Sequence, residues 1–187
     1  MTESINSLAR LALADLSAVL ENVQEAGIEK FIAAISGAKR IALHGLGREG
    51  LQMRGLAMRL FHLGIDAHVV GDMTAPPIGA GDLLIVSAGP GDFTTIEALM
   101  NIAKAAGAET AVVTAQSSGG AARRADVVLY IPAQTMANDQ LGEVSVLPMG
   151  SLFEVAMMLV FELAVLRLRD RIGETTETMR ARHTNLE

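Results

Sequence analysis

Between Ile41 and Leu51 the chain reads Ile-Ala-Leu-His-Gly-Leu-Gly-Arg-Glu-Gly-Leu, and this stretch limits the possible folds more than any other. The apolar run 40–43 predicts a buried strand, and Leu51, Gly55, Ala57, Met58, Leu60 and Phe61 then recur at helical spacing. Gly45, Gly47 and Gly50 join the two as a G-x-G-x-x-G turn. Strand, turn and helix in that order bring backbone N–H groups and the positive end of a helix to one spot, which suits an anion, most often a phosphate. The same glycines also meet the purely steric demand of a tight strand-to-helix turn. The motif alone therefore leaves both readings open.

The rest of the chain repeats the alternation of strand and helix. Residues 3–25 carry a broad apolar face (Ile5, Leu8, Leu11, Leu16, Val19, Val23) and predict one helix closed by Gly27, with a short helix over 28–35 ended by Gly37. After strand 40–43 and the glycine turn, a further helix runs to about Leu63 and stops at Gly64. Strands are predicted at 68–70, 83–86, 110–114 and 127–131, with a helix from Thr94 or Thr95 to Ala106. Ser87-Ala88-Gly89-Pro90-Gly91-Asp92 forms a second glycine-rich turn. Residues 132–148 read as an irregular loop, 151–171 as the longest helix, 175–182 as a short one and 183–187 as a tail. Alternating strands and helices predict an α/β fold, a three-layer αβα sandwich on a five-stranded parallel sheet of flavodoxin-like order 2-1-3-4-5. Strands 1 and 3 are neighbours in that order, and a ligand belongs beyond their carboxyl ends. Both glycine turns fall there, so the candidate ligand site lies between 44–50 and 87–95.

Length predicts one domain over 1–187, with an N-terminal helical extension and a C-terminal helix and tail. With 50% hydrophobic but only 3% aromatic residues, aliphatic side chains and ten Met must fill the core. A formal charge of −6 argues against a nucleic-acid partner. The absence of Cys and of a basic-then-apolar leader fits the cytoplasm. Leu152 to Leu168 is strongly apolar but contains Glu154 and Glu162, and predicts a core or interface helix rather than a membrane span. No His, Asp and Glu residues have metal-ligand spacing, so neither metal nor other cofactor is expected.

Several segments resemble the SIS (sugar isomerase) domain and, within it, the 6-phospho-3-hexuloisomerases. They are Met58-Arg59-Leu60-Phe61-His62-Leu63-Gly64, Val69-Val70-Gly71-Asp72, Gly81 to Ile85, Leu147 to Glu154 and the tail Met179-Arg180-Ala181-Arg182-His183-Thr184-Asn185-Leu186-Glu187. The resemblance implies an αβα fold, a homodimer or homotetramer, and metal-free isomerisation of a sugar or sugar phosphate through an enediol. Such chemistry needs a carboxylate beside the C–H bond and a group that shuttles the hydroxyl proton. Matching the family's motif gives Glu154 as base; Ser151-Leu152-Phe153-Glu154 also reads as a capping box with Glu154 at N3. The tail match gives His183 as shuttle, beside Asn185, reaching a neighbouring subunit's site. The substrate-binding set is completed by His44, Gly45, Gly47, Arg48, Ser87, Gly89, Gly91, Thr94 and Thr95. His44 also reads as a core histidine, and Arg48 either pairs with an anionic substrate or neutralises Glu49.

This chain departs from the family at both turns. The first reads Gly-x-Gly-Arg-Ser in the family, and Glu49 stands at the serine position. The second reads Ser-Gly-Ser-Gly-Glu-Thr, against Ala88-Gly89-Pro90-Gly91-Asp92-Phe93 here. The hydroxyls that hold phosphate in the family are absent, and a carboxylate at 49 repels a dianion. Two alternatives therefore stand beside the sugar-phosphate isomerase: a non-catalytic phosphosugar sensor, and an isomerase of a less anionic sugar derivative. A Rossmann dehydrogenase, suggested by Asp72 beyond the turn, is disfavoured by the two-turn site and the tail.

Overall fold

The computed structural model describes residues 3–139 and 145–186. Five strands form one sheet: β1 (Ile41–His44), β2 (Ala67–Val69), β3 (Leu83–Ser87), β4 (Glu109–Thr114) and β5 (Val127–Tyr130). All pairings are parallel and the order is β2-β1-β3-β4-β5, as the alternation predicts. Successive side chains leave a strand on opposite faces, and the two faces bury different sets. Ile41, Leu43, Leu83, Ile85, Ala111, Val113 and Leu129 meet α1 (Ile5–Glu21), α2 (Glu25–Gly37), α3 (Gly47–His62) and α6 (Ser151–Ile172). Ala42, Leu84, Val86 and Val112 meet α4 (Thr94–Ala105) and α5 (Gly120–Arg124). A final helix, α7 (Thr176–Ala181), leads into the tail.

The N-terminal helix predicted over 3–25 is instead broken at residues 22–24. Asn22 caps α1, its Nδ2 donating to the Ala18 carbonyl at 2.8 Å, and Gln24 starts α2. Gly27 thus lies in the first turn of α2 and closes nothing. An asparagine that meets the freed carbonyls stops the helix before the glycine is reached. Strand β2 ends one residue earlier than expected, although Val70 N–H still donates to the Leu43 carbonyl at 2.9 Å. Of the predicted loop 132–148, residues 140–144 lie outside the described residues, as does Glu187 of the tail. Its described end is tied to α1, where Asp15 accepts from the Ser145 hydroxyl at 2.6 Å.

Helix α6 crosses α1, α2 and α3 with an inner face that includes Leu152, Phe153, Met157, Val160, Phe161 and Leu168. Phe153 is 1% exposed, a burial that contributes about 1.5–3 kcal/mol. The outer face keeps Met158, Leu159, Leu163 and Leu166 exposed, beside Leu51, Met58 and Phe61 of α3. Among the described residues no helix is long and apolar enough to cross a membrane.

Candidate active site

The two glycine turns meet at the carboxyl ends of β1 and β3. A Cβ on Gly45 would lie 2.5 Å from Ser87 Oγ, and one on Gly50 would lie 2.5 Å from the Gly45 carbonyl oxygen. The steric reading of the first turn is therefore correct. Close approach of the turn to β3 carries the next side chain, Glu49, into the crevice between the two turns.

Glu49 is 8% exposed. Its two carboxylate oxygens accept from the Gly89 N–H at 3.2 and 3.0 Å. Burial pushes its carboxyl above the ordinary value; the Gly89 N–H and the Ser87 hydroxyl oppose that rise, and the charge of Glu154 adds to it. A Cβ on Gly89 would stand 2.7 Å from Phe153 and 2.8 Å from Glu49 Oε1, so the second turn needs glycine to admit this carboxylate. The family's serine position already puts Glu49 in the site; that its partner is the Gly89 N–H follows only from the contact between turns 40 residues apart.

Arg48 does not neutralise Glu49. Its Nε stands 2.9 Å from Glu154 Oε2, and its Nη1 donates to Ser151 Oγ at 2.8 Å. The capping box expected at 151–154 is absent. Gly150 is the N-cap without a side-chain cap bond, Ser151 is already helical, and Glu154 turns to Arg48. Beside the pull of Arg48 stands the turn before α6: Met149 adopts φ 56°, in the left-handed region, and its carbonyl accepts from Gln134 Nε2 at 3.3 Å. That backbone starts the helix one residue before the box requires.

Glu154 Oε2 is buried, and its contact with Arg48 is an ion pair without hydrogen-bond alignment. Among the described residues, four buried side-chain atoms have no hydrogen-bond partner: His44 Nε2, Ser87 Oγ, Gln134 Oε1 and Glu154 Oε2. His44 and Ser87 end β1 and β3, Gln134 follows β5 and Glu154 sits in the first turn of α6, all at the carboxyl edge of the sheet. Unmet buried polar atoms are rare, and their confinement to this edge is what a ligand site requires. Burial and the positive charge of Arg54 hold the His44 imidazole below its ordinary value, against a backbone hydrogen bond with Val70. Alternation along β1 sets His44 on the Ala42 face, opposite Glu49. Thr94 and Thr95 are exposed in the first turn of α4, whose N-cap Phe93 makes no side-chain cap bond. Asp92 serves the turn, accepting from the Phe93 N–H at 3.0 Å and pairing with Arg124.

The tail lies elsewhere in its own chain. The His183 ring stacks on His62, the last residue of α3, with centroids 5.3 Å apart. Arg182 holds it there, donating to the His62 carbonyl at 2.9 Å and to both oxygens of Glu174. That arginine, with the Thr178 hydroxyl, lowers the Glu174 carboxyl to about 2. His183 lines a groove with Glu162, two turns along α6 from Glu154, or about 12 Å at 1.5 Å per residue. One chain therefore brings together Glu49, Arg48, Ser87, Gly89 and Glu154, but not His183 or the exposed Asn185. No three His, Asp or Glu side chains among the described residues converge as a metal cluster.

A family model described as SIS domain matches residues 34–164. A 3-hexulose-6-phosphate isomerase of Mycobacterium gastri is 38% identical over 97% of this chain and 89% of its own length. One of Methylomonas aminofaciens is 34% identical over 98% of this chain and its whole length. Among solved structures, a hypothetical protein of Methanococcus jannaschii, from whose structure a 3-hexulose-6-phosphate isomerase function was inferred, superposes with a TM-score of 0.80. It is 25% identical, with 97% of this chain and 98% of that one covered.

Proposed function

Because the chain belongs to the SIS domain family, we propose that it is a ketol isomerase of a sugar phosphate, interconverting 3-hexulose 6-phosphate and fructose 6-phosphate. In that reaction a base removes the proton from C2 of the 3-ketose, a C2=C3 enediol forms, and the proton returns at C3. The hydroxyl proton moves from O2 to O3, leaving the carbonyl at C2. Glu154 is the base. The observation that carries this assignment is its buried Oε2, held only by the side chain of Arg48, which is itself 59% exposed. An incoming phosphate competes for that guanidinium, to which it binds in bidentate fashion, and so releases the carboxylate beside the substrate. Loading the anion and freeing the base become one event.

The shuttle for the hydroxyl proton is His183 of a second copy, with Asn185 beside it. The exposed apolar rows of α3 and α6 support assembly into a dimer or tetramer that delivers the tail across subunits. Glu49 on the Gly89 amide favours a second reading, an isomerase of a less anionic sugar derivative. The test is a screen of hexulose and pentulose phosphates, and of the free sugars, for exchange of C2 or C3 protons in heavy water. Exchange with hexulose phosphates supports the first reading, and exchange with free sugars alone supports the second. No exchange with any of them refutes both and leaves a binding protein.

A further inference from the structure

The buried carboxylate of Glu49 has no evident place in the isomerisation, yet it holds the Gly89 N–H, a backbone donor of the site. We propose that Glu49 is a resident anion at the second glycine turn: in the free protein it occupies the Gly89 amide, and an anionic ligand enters the site together with one proton taken up by Glu49. This inference rests on reading the edge as a sugar-phosphate site, and it makes Glu49 the residue that sets that site's specificity for ligand charge.

The geometry argues for a built-in feature. Both oxygens of Glu49 address one N–H, and a Cβ on residue 89 would crowd this carboxylate at 2.8 Å. No basic side chain pairs with Glu49 among the described residues. Its neighbour Arg48 is directed to Glu154 and Ser151, and the charge facing it from α6 is Glu154, of like sign. From β3 and the following turn it meets only the Ser87 hydroxyl and the Gly89 N–H, and the one titratable group of β1, His44, leaves on the opposite face. A phosphate dianion placed here would be the third negative group in the crevice, beside Glu49 and Glu154.

Protonation of Glu49 removes that conflict without moving the side chain. The neutral acid keeps one oxygen on the Gly89 N–H and donates its O–H to Ser87 Oγ, the wholly buried hydroxyl that already faces the carboxylate. The proton comes from solvent and the ligand stays a dianion, so charge and atoms balance. Burial and Glu154 both favour this uptake.

Calorimetric titration of the full chain with fructose 6-phosphate, above pH 7 and in buffers of different ionisation enthalpy, counts the protons bound with the ligand. Phosphate monoesters are already dianionic there, with a second ionisation near pH 6. Wild-type protein is expected to take up close to one proton per site, with affinity falling about tenfold from pH 7 to pH 8 by one-proton linkage. Glu49→Gln, whose amide copies the neutral acid, is expected to bind more tightly, take up none and lose that slope; Glu49→Ser serves if the glutamine variant melts early. Binding with equal proton uptake in wild type and variants overturns the inference and leaves the isomerase reading intact. No binding by wild type or by either variant overturns both.

Discussion

Two alanine substitutions in the same helix should have opposite signs. Gly50 and Gly55 both lie within α3. A Cβ on Gly50 would sit 2.5 Å from the Gly45 carbonyl oxygen and 3.1 Å from its carbon, both backbone atoms that no rotamer change relieves. A Cβ on Gly55 meets nothing within 4 Å. Replacing an exposed helical glycine by alanine gains about 1 kcal/mol, so Gly55→Ala should be stabilising by that amount. Overpacking costs about 1–3 kcal/mol, and contact with fixed backbone belongs at the upper end. Gly50→Ala should therefore lose about 3 and regain about 1, for a net loss of about 2 kcal/mol. At about 2–4 °C per kcal/mol for a chain of this size, Tm falls by about 4–8 °C in Gly50→Ala and rises by about 2–4 °C in Gly55→Ala. Thermal unfolding followed by circular dichroism reads both. A Gly50→Ala protein that melts above wild type would refute the tight closure of the first turn on itself, from which the path of Glu49 toward Gly89 starts.

Arg182→Ala should return the Glu174 carboxyl from about 2 toward its ordinary 4.5 and remove amide-exchange protection from α7 while the sheet keeps its own; a titration midpoint that stays near 2 would count against the pair. His44 binds protons less readily folded than unfolded, so its contribution to stability is present above pH 6.5 and is lost as pH falls below that value. Urea unfolding at pH 7 and 5.5 should show a smaller loss in His44→Gln than in wild type, and equal losses would contradict the assignment. Glu49 has the opposite sign: its carboxyl is raised from 4.5, so stability falls as pH rises from there through the folded value, and Glu49→Gln should flatten that decline. Light scattering at micromolar concentration should give two or four chains, and a monomer would rule out a tail shared between subunits.

Local signals account for what was legible in the sequence. Apolar runs such as Leu83-Leu84-Ile85-Val86, bounded by glycine and polar residues, mark buried strands whatever surrounds them. Their alternation with helices implies the parallel order, and that order puts both glycine turns at one edge. The misreadings arose where a distant partner decides. Ser151 to Glu154 has the letters of a capping box, but Arg48, 103 residues earlier, draws both side chains to itself. The family's serine position puts Glu49 in the site, but its bond to the Gly89 amide depends on an approach of Gly45 to Ser87 of β3 that periodicity does not encode. At residues 22–24 two neighbouring signals compete, and asparagine ends α1 before Gly27 can.

The central claim is that Glu154 moves a carbon-bound proton at this edge. Fructose 6-phosphate incubated with the protein in heavy water should lose its C3 proton signal in the NMR spectrum as the enediol forms and is re-protonated by deuterium. Glu154→Gln keeps the size and polarity of the side chain but cannot accept the proton, and exchange should slow by at least about a hundredfold in a protein with wild-type circular dichroism. Exchange at the wild-type rate in that variant would place the base elsewhere and contradict the account.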